Sequence, residues 1–189
     1  MYFELFMLVV AFGSIASIAI WTVATGCPPT PTSLKVRSSM IGILPSHLPG
    51  VSNGKIYELG SGWGGVSRAL ANQFHSVPVI GVEISPLPFV VSWVRNILVP
   101  KSNLKLIYGN FSNMDLSDAA LVVCYLSRGA LLRLTSKLER ELAPEALIVS
   151  NTFGIPGWQI LDKKTAQDLY RSPIYLYERR DAVAFKSQS

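Results

Sequence analysis

Residues 56–65 read Ile56-Tyr57-Glu58-Leu59-Gly60-Ser61-Gly62-Trp63-Gly64-Gly65, and this stretch decides the fold. Lys55–Leu59 has the length and apolar character of a strand, and it opens directly into glycines at alternate positions. Glycine reaches backbone conformations that a Cβ forbids, and it lets a ligand approach the main chain closely. Gly64–Phe74 then carries Val66, Leu70 and Phe74 at helical spacing. The same alternation continues along the chain. Val77–Ile84 reads as a strand. Pro86–Leu98 reads as a helix with proline in its first turn, where a missing N–H costs nothing. Leu104–Tyr108 is a third strand. Ala119–Leu126 is an unbroken apolar run, as expected for a strand covered on both faces. Gly129–Leu142 lines up Leu131, Leu134, Leu138 and Leu142 on one side, and Glu145–Thr152 is a further buried strand. Ile174–Glu178 and Ala182–Lys186, either side of Arg179-Arg180-Asp181, are expected to close as a hairpin. Alternation of this kind predicts an α/β domain, a parallel sheet with helices on both faces. Ligands of such sheets bind beyond the carboxyl ends of the strands, where the glycines lie.

Three features fall at successive strand ends. The first is the glycine turn itself, with Gly60, Gly62 and Gly64 two residues apart and Glu58 two before the first. A dinucleotide turn spaces its glycines GxGxxG and sets a pyrophosphate on the following helix. A carboxylate at Glu58 suits a cationic ligand group better than an anionic one. The second feature is Gly81-Val82-Glu83-Ile84-Ser85, which puts a carboxylate at the end of the second strand, where it can accept from both hydroxyls of a ribose. Nicotinamide-dependent proteins use that device too, but after this sheet is built no second catalytic domain remains. The third is Tyr108-Gly109-Asn110-Phe111 after the third strand, a polar side chain able to bond the edge of a purine.

Together these resemble the cofactor motifs of class I S-adenosylmethionine-dependent methyltransferases. The resemblance implies a Rossmann-like sheet that takes S-adenosylmethionine and releases S-adenosylhomocysteine. It implies that Glu58, Gly60, Ser61, Gly62 and Gly64 surround the methionine part, Glu83 and Ile84 the ribose, and Asn110 and Phe111 the adenine. Asn110 departs from the acidic residue common at its position. Trp63, inside the glycine turn, reads either as a cover for the cofactor or as packing on the next helix, with packing favoured.

The N-terminus is of another kind. Residues 5–25, LFMLVVAFGSIASIAIWTVAT, contain no charge, although the whole chain is 15% charged. About 20 such residues in a helix cross the roughly 30 Å hydrocarbon layer of a bilayer. Tyr2 and Trp21 fit the aromatic belts, and Gly13, Ser14 and Ser17 are small residues common in membrane helices. A cleaved signal peptide fits less well, since the leading residues hold Glu4 and no Lys or Arg. The sequence before Cys27 also lacks the aliphatic residue of a lipoprotein cleavage site. The expected organisation is a membrane anchor over 1–27, a proline-stiffened linker over 28–53 with one apolar turn at Met40–Leu44, and a catalytic domain over 54–189. Lys35 and Arg37 after the anchor place that domain on the cytoplasmic, or matrix-equivalent, side. The net charge of +5 draws it toward anionic headgroups. No Lys/Arg run with interleaved aromatics points to nucleic acid. Cys27, Cys124, His47 and His75 form no metal-ligand spacing, and Cys124 reads as core.

Beyond the cofactor half, Val123–Leu126, Lys137–Leu142, Ile148–Phe153 and Ile155–Trp158 resemble the single-span, membrane-anchored protein lysine methyltransferases. Their mitochondrial members modify the adenine nucleotide translocase and the ATP synthase c subunit. The resemblance spans most of residues 55–178. It implies a protein lysine acceptor in or near the membrane, with Tyr125, Asn151 and Trp158 near the reacting atoms. A phospholipid or isoprenoid acceptor, and a non-catalytic cofactor-binding protein, stay open from the residues alone. Arg128 and Arg133 are expected on a solvated helix face.

Overall fold

The computed structural model describes residues 1–49 and 54–179. Its strands are β1 Lys55–Leu59, β2 Val79–Glu83, β3 Leu104–Tyr108, β4 Ala119–Cys124, β5 Leu147–Asn151, β6 Asp162–Thr165 and β7 Pro173–Glu178. Its helices are α1 Tyr2–Thr25, α2 Leu34–Gly42, α3 Gly65–Gln73, α4 Pro86–Leu98 and α5 Arg128–Glu141. The strands form one sheet in the order β3-β2-β1-β4-β5-β7-β6. The first five run parallel, and β7 runs antiparallel between β5 and β6. This is the Rossmann-like sheet expected from the sequence.

Side chains alternate across β1. Ile56 packs under α2 and α3 with Val66 and Leu70. Tyr57 and Leu59 face the other way, against Leu131, Leu134 and Leu138 of α5. Glu58 therefore points to the α2/α3 side, as Ile56 does. The order of strands reverses between β1 and β4, and the glycine turn leaves β1 at that crevice. Strand β4 is buried at every position, as its unbroken apolar run requires. It stops at Cys124, so Tyr125 and Leu126 leave the sheet.

Two departures from the sequence reading bear on the site. Within the stretch read as a linker, Leu34–Gly42 is a nine-residue helix rather than one turn at Met40–Leu44. Ser33 caps it by accepting from the Val36 N–H, and Val36, Met40 and Ile43 are buried against α3 and the sheet. That segment is thus part of the core. Secondly, β7 has β6 beside it, and β6 precedes it in the chain. The Ala182–Lys186 segment expected as its hairpin partner lies outside the described residues. No apolar pattern betrays β6, because Asp162-Lys163-Lys164-Thr165 is exposed at every position, a charged edge that discourages further pairing.

Helix α1 is a 24-residue apolar helix with no fully buried residue, long and apolar enough to cross a membrane. It ends at Gly26, which takes the left-handed conformation at φ 65° and donates its N–H to the Thr22 carbonyl.

Candidate active site

The turn after β1 is held by a carboxylate from β2. Glu83 accepts from the Gly62 N–H and from the Ser85 N–H, each at 2.7 Å. A carboxylate offers about four lone-pair positions, so roughly two remain for a ligand. Gly62 has φ 50° and open space where a Cβ would stand. Gly64 differs. A Cβ there would sit 2.8 Å from the Cβ of Ser92 on α4, with φ at 71°. Its lack of a side chain lets the turn pack against α4. It is not among the residues that line the cavity described below, although sequence placed it with the cofactor group.

Glu58 lies beneath the turn, buried, and accepts a hydrogen bond from the Ser67 hydroxyl on α3. Burial pushes its carboxyl group up to about 8. The bonds from Ser67 draw it partly back, the charge of Glu83 adds to the rise, and Arg37 of α2 opposes it. Near neutral pH this is a protonated acid that ionises when a cation is brought against it.

A cavity of about 570 Å³ opens at the carboxyl ends of the strands, within the range of small-molecule sites. Glu58, Gly60, Ser61 and Gly62 line one wall. Glu83 and Ile84 line the next, then Asn110 and Phe111 after β3, then Tyr125 after β4. Asn110 also caps the short turn that follows it, accepting from the Ser112 N–H at 2.9 Å. The cavity thus collects eight of the nine residues expected around the cofactor, and one of the three expected at the acceptor. The other two lie elsewhere. Asn151 is buried at the end of β5, where β7 runs alongside, and accepts from the Thr152 hydroxyl at 3.4 Å. Trp158 turns back over the α5 face. It packs edge-on to Tyr177 and donates to Glu139 at 3.3 Å, away from the cavity.

Several wall residues were not legible in the sequence. Ala24 and Thr25, the last residues of α1, line the cavity, as do Cys27 and Pro28–Thr32. Trp63 is also in the wall, and its indole N–H donates to the Pro29 carbonyl at 2.6 Å. It fastens the glycine turn to the segment after α1 and stands where the cover reading of the sequence put it, in the cavity wall. Arg37, Arg95 and Arg133 complete the rim. Arg133 is exposed, as expected of a solvated helix face, and it also borders the cavity because the first turns of α5 leave β4 beside the crevice. The one available signal was Ser33, a helix cap four residues before Arg37.

The wall suits S-adenosylmethionine. Its ammonium group would draw Glu58 into its ionised form, its paired ribose hydroxyls would find free lone pairs on Glu83, and the glycines leave the backbone open. Two buried polar atoms of the wall residues, Ser61 Oγ and Arg37 Nε, have no hydrogen-bond partner among the described residues.

The chain is similar to known proteins over this same region. A family model described as the ANTKMT methyltransferase domain matches residues 58–162, more than half of the chain. A protein-lysine N-methyltransferase of Saccharolobus islandicus (strain REY15A) is 29% identical over 154 residues, 79% of this chain and 92% of the relative. Among solved structures, an RNA methyltransferase from Salinibacter ruber in complex with S-adenosyl-L-homocysteine superposes with a TM-score of 0.68 at 23% identity. That match covers 80% of this chain and 95% of the other. A precorrin-6y C5,15-methyltransferase from Geobacter metallireducens GS-15 gives a TM-score of 0.58 at 20% identity, over 78% and 88% of the two chains. At these identities the structural matches speak for the fold alone.

Proposed function

The chain belongs to the ANTKMT methyltransferase family and uses S-adenosylmethionine; on that premise we propose that it is a membrane-tethered enzyme that methylates a protein lysine at the membrane surface. The observation that carries the tether is a shared wall. Ala24 and Thr25, at the end of an apolar helix of membrane-spanning length, line the same cavity as Glu58 and Glu83. The anchor therefore brings the reacting centre to the bilayer. The lysine rests on the family and on the name borne by the Saccharolobus relative. Under this reading residues 1–27 anchor the chain, residues 54–189 carry catalysis, and the segment between joins them. Lys35 faces solvent just after the anchor and favours the cytoplasmic or matrix-equivalent side.

When bound, the cofactor supplies an electrophilic methyl group on a sulfonium. The chain's part is to hold and aim. Glu58 binds the ammonium end, and Arg37 with its unpaired Nε stands by for the carboxylate end. Glu83 takes the ribose hydroxyls, and Asn110 and Phe111 the adenine. Tyr125 sits where a chain after β4 meets the cavity. A lysine nucleophile must arrive neutral, and an apolar wall of Ala24, Pro28, Pro29 and Leu126 lowers its pKa by desolvation. In-line positioning then provides most of the rate, so no dedicated base is required.

The test supplies methyl-labelled cofactor to native membranes containing the full-length protein, then separates protein from lipid. Label recovered as methyl-lysine is the expected result. Label confined to the organic phase refutes the lysine acceptor and leaves a lipid one. Alkaline carbonate washing addresses the tether, which release of the protein into the supernatant refutes.

A further inference from the structure

Helix α4 covers little of the core. Pro88 and Ser92 are buried, and Phe89 and Asn96 are half-covered beside them. These four share one side of the helix at three- and four-residue spacing. The rest of the surface carries Val90, Val91, Trp93, Val94, Ile97 and Leu98, each between 41% and 75% exposed. Arg95 is the helix's single charge. A helix with this side in water is normally polar there. A contiguous apolar patch of this kind marks a surface that meets something apolar.

Position and charge identify what it meets. Helix α1 packs beside α4. The half-covered residues of α1, namely Ser14, Ser17, Ile18, Trp21, Thr22 and Thr25, form a stripe over its C-terminal half. That half is about 18 Å long at 1.5 Å per residue. Were it held outside the hydrocarbon, residues 2–13 would supply only about another 18 Å, short of the roughly 30 Å needed to span. A spanning α1 therefore draws α4 into the bilayer boundary with it. The flank of α4 is cationic. Arg68 donates to Asn96 at 3.2 Å and lies near Arg95, and neither has a carboxylate within ion-pair reach among the described residues. Cations at the edge of an apolar helix face complement anionic headgroups.

We propose that the outer face of α4 is a second membrane-contacting surface, lying in the interface of an anionic bilayer beside α1. The inference deepens the tethered reading above and rests on it. It fixes the depth of the reaction as well as its tether, because Ser85 and Arg95 of this region line the cavity rim. The acceptor is then a side chain at headgroup level, not one on a distant soluble domain.

Full-length protein with Cys27→Ser, reconstituted in phosphatidylcholine and phosphatidylglycerol vesicles, is spin-labelled at one added cysteine at a time. The sites are Val94→Cys on α4, Val10→Cys on α1 and Ser117→Cys, which is exposed at the opposite end of the sheet. Collision with oxygen and with a water-soluble nickel chelate gives each label's depth. The expected depth at Val94 is about 5–10 Å below the headgroup boundary, with Ser117 in water. An aqueous label at Val94, with Val10 in hydrocarbon, overturns the inference and leaves the tether standing. An aqueous label at Val10 overturns the tether, and the inference that rests on it falls with it. Shielding of Val94 from both reagents overturns the inference too, with dipolar broadening between labels naming a second copy as the occupant.

Discussion

Glu58→Gln separates the cost of burying this carboxyl group from its use. The folded protein holds Glu58 at about 8 against an ordinary 4.5, chiefly through burial. A raised acid is preferentially protonated in the folded state. Its contribution to stability is full below the unfolded value of about 4.5 and is lost as pH rises toward 8. The shift corresponds to a ceiling of about 5 kcal/mol against the ligand-free fold above pH 8. Glutamine keeps the shape and the Ser67 contact without the charge. The ligand-free variant should therefore melt higher than wild type above pH 8 and the same near pH 4.5. Cofactor binding should run in the opposite direction. An ammonium against an ionised carboxylate gains roughly 1.5–3 kcal/mol, about 10- to 150-fold in affinity, that glutamine cannot supply. Below pH 8 the wild type must ionise Glu58 in order to bind. Its affinity for S-adenosylhomocysteine should fall about fivefold from pH 8 to pH 7 and about tenfold from pH 7 to pH 6, roughly 50-fold in all, and no lower than the variant's. The variant's affinity should be flat over that window. Calorimetric titration of full-length protein in detergent at both pH values measures this directly. Equal wild-type affinity at pH 6 and pH 8 would refute the coupling of Glu58 to the cofactor's ammonium. A ligand-free variant no more stable than wild type at high pH would refute the burial cost.

Other consequences follow from the same geometry. Glu83→Ala removes the acceptor for Gly62, Ser85 and the ribose at once, so cofactor affinity should fall about 100-fold or more, by roughly 3 kcal/mol. Retained micromolar binding would show that the hydroxyls are held elsewhere. Gly64→Ala forces a Cβ to within 2.8 Å of Ser92 at φ 71°. It should lower stability by about 2–4 kcal/mol, read as a clear drop in Tm; an unchanged Tm counts against the close turn–α4 packing. Tyr125→Phe should cut turnover by about tenfold or more with cofactor affinity intact, as expected of a group that positions the acceptor. Trp158→Phe should leave turnover near wild type, and a large loss there would place Trp158 at the acceptor after all.

What the sequence made legible was what local rules encode. Strand β1 with its glycines, the unbroken β4 and the carboxylate at Glu83 each report their own backbone state and burial, so the sheet and the cofactor wall could be read from them. The acceptor side is built by residues whose place depends on long-range packing. Asn151 ends a strand just as Glu83 does, but β7 returns beside it and closes that end of the crevice. Trp158 has the composition of a lid residue, yet it completes the core under α5. Arg37 became visible only once α2 was seen to pack over Glu58.

Helix α4 shows the limit most sharply. The sequence reads as a helix and no more, because hydrophobic periodicity reports that a face leaves water without saying what it enters. Ser92 and Pro88 already occupy the core side, and the chain offers nothing among the described residues to cover Val90, Val94 and Leu98. In a soluble domain those positions would be wasted apolar surface. Beside a helix of spanning length they become a second contact with lipid, and the depth of Val94 in a bilayer decides between the two.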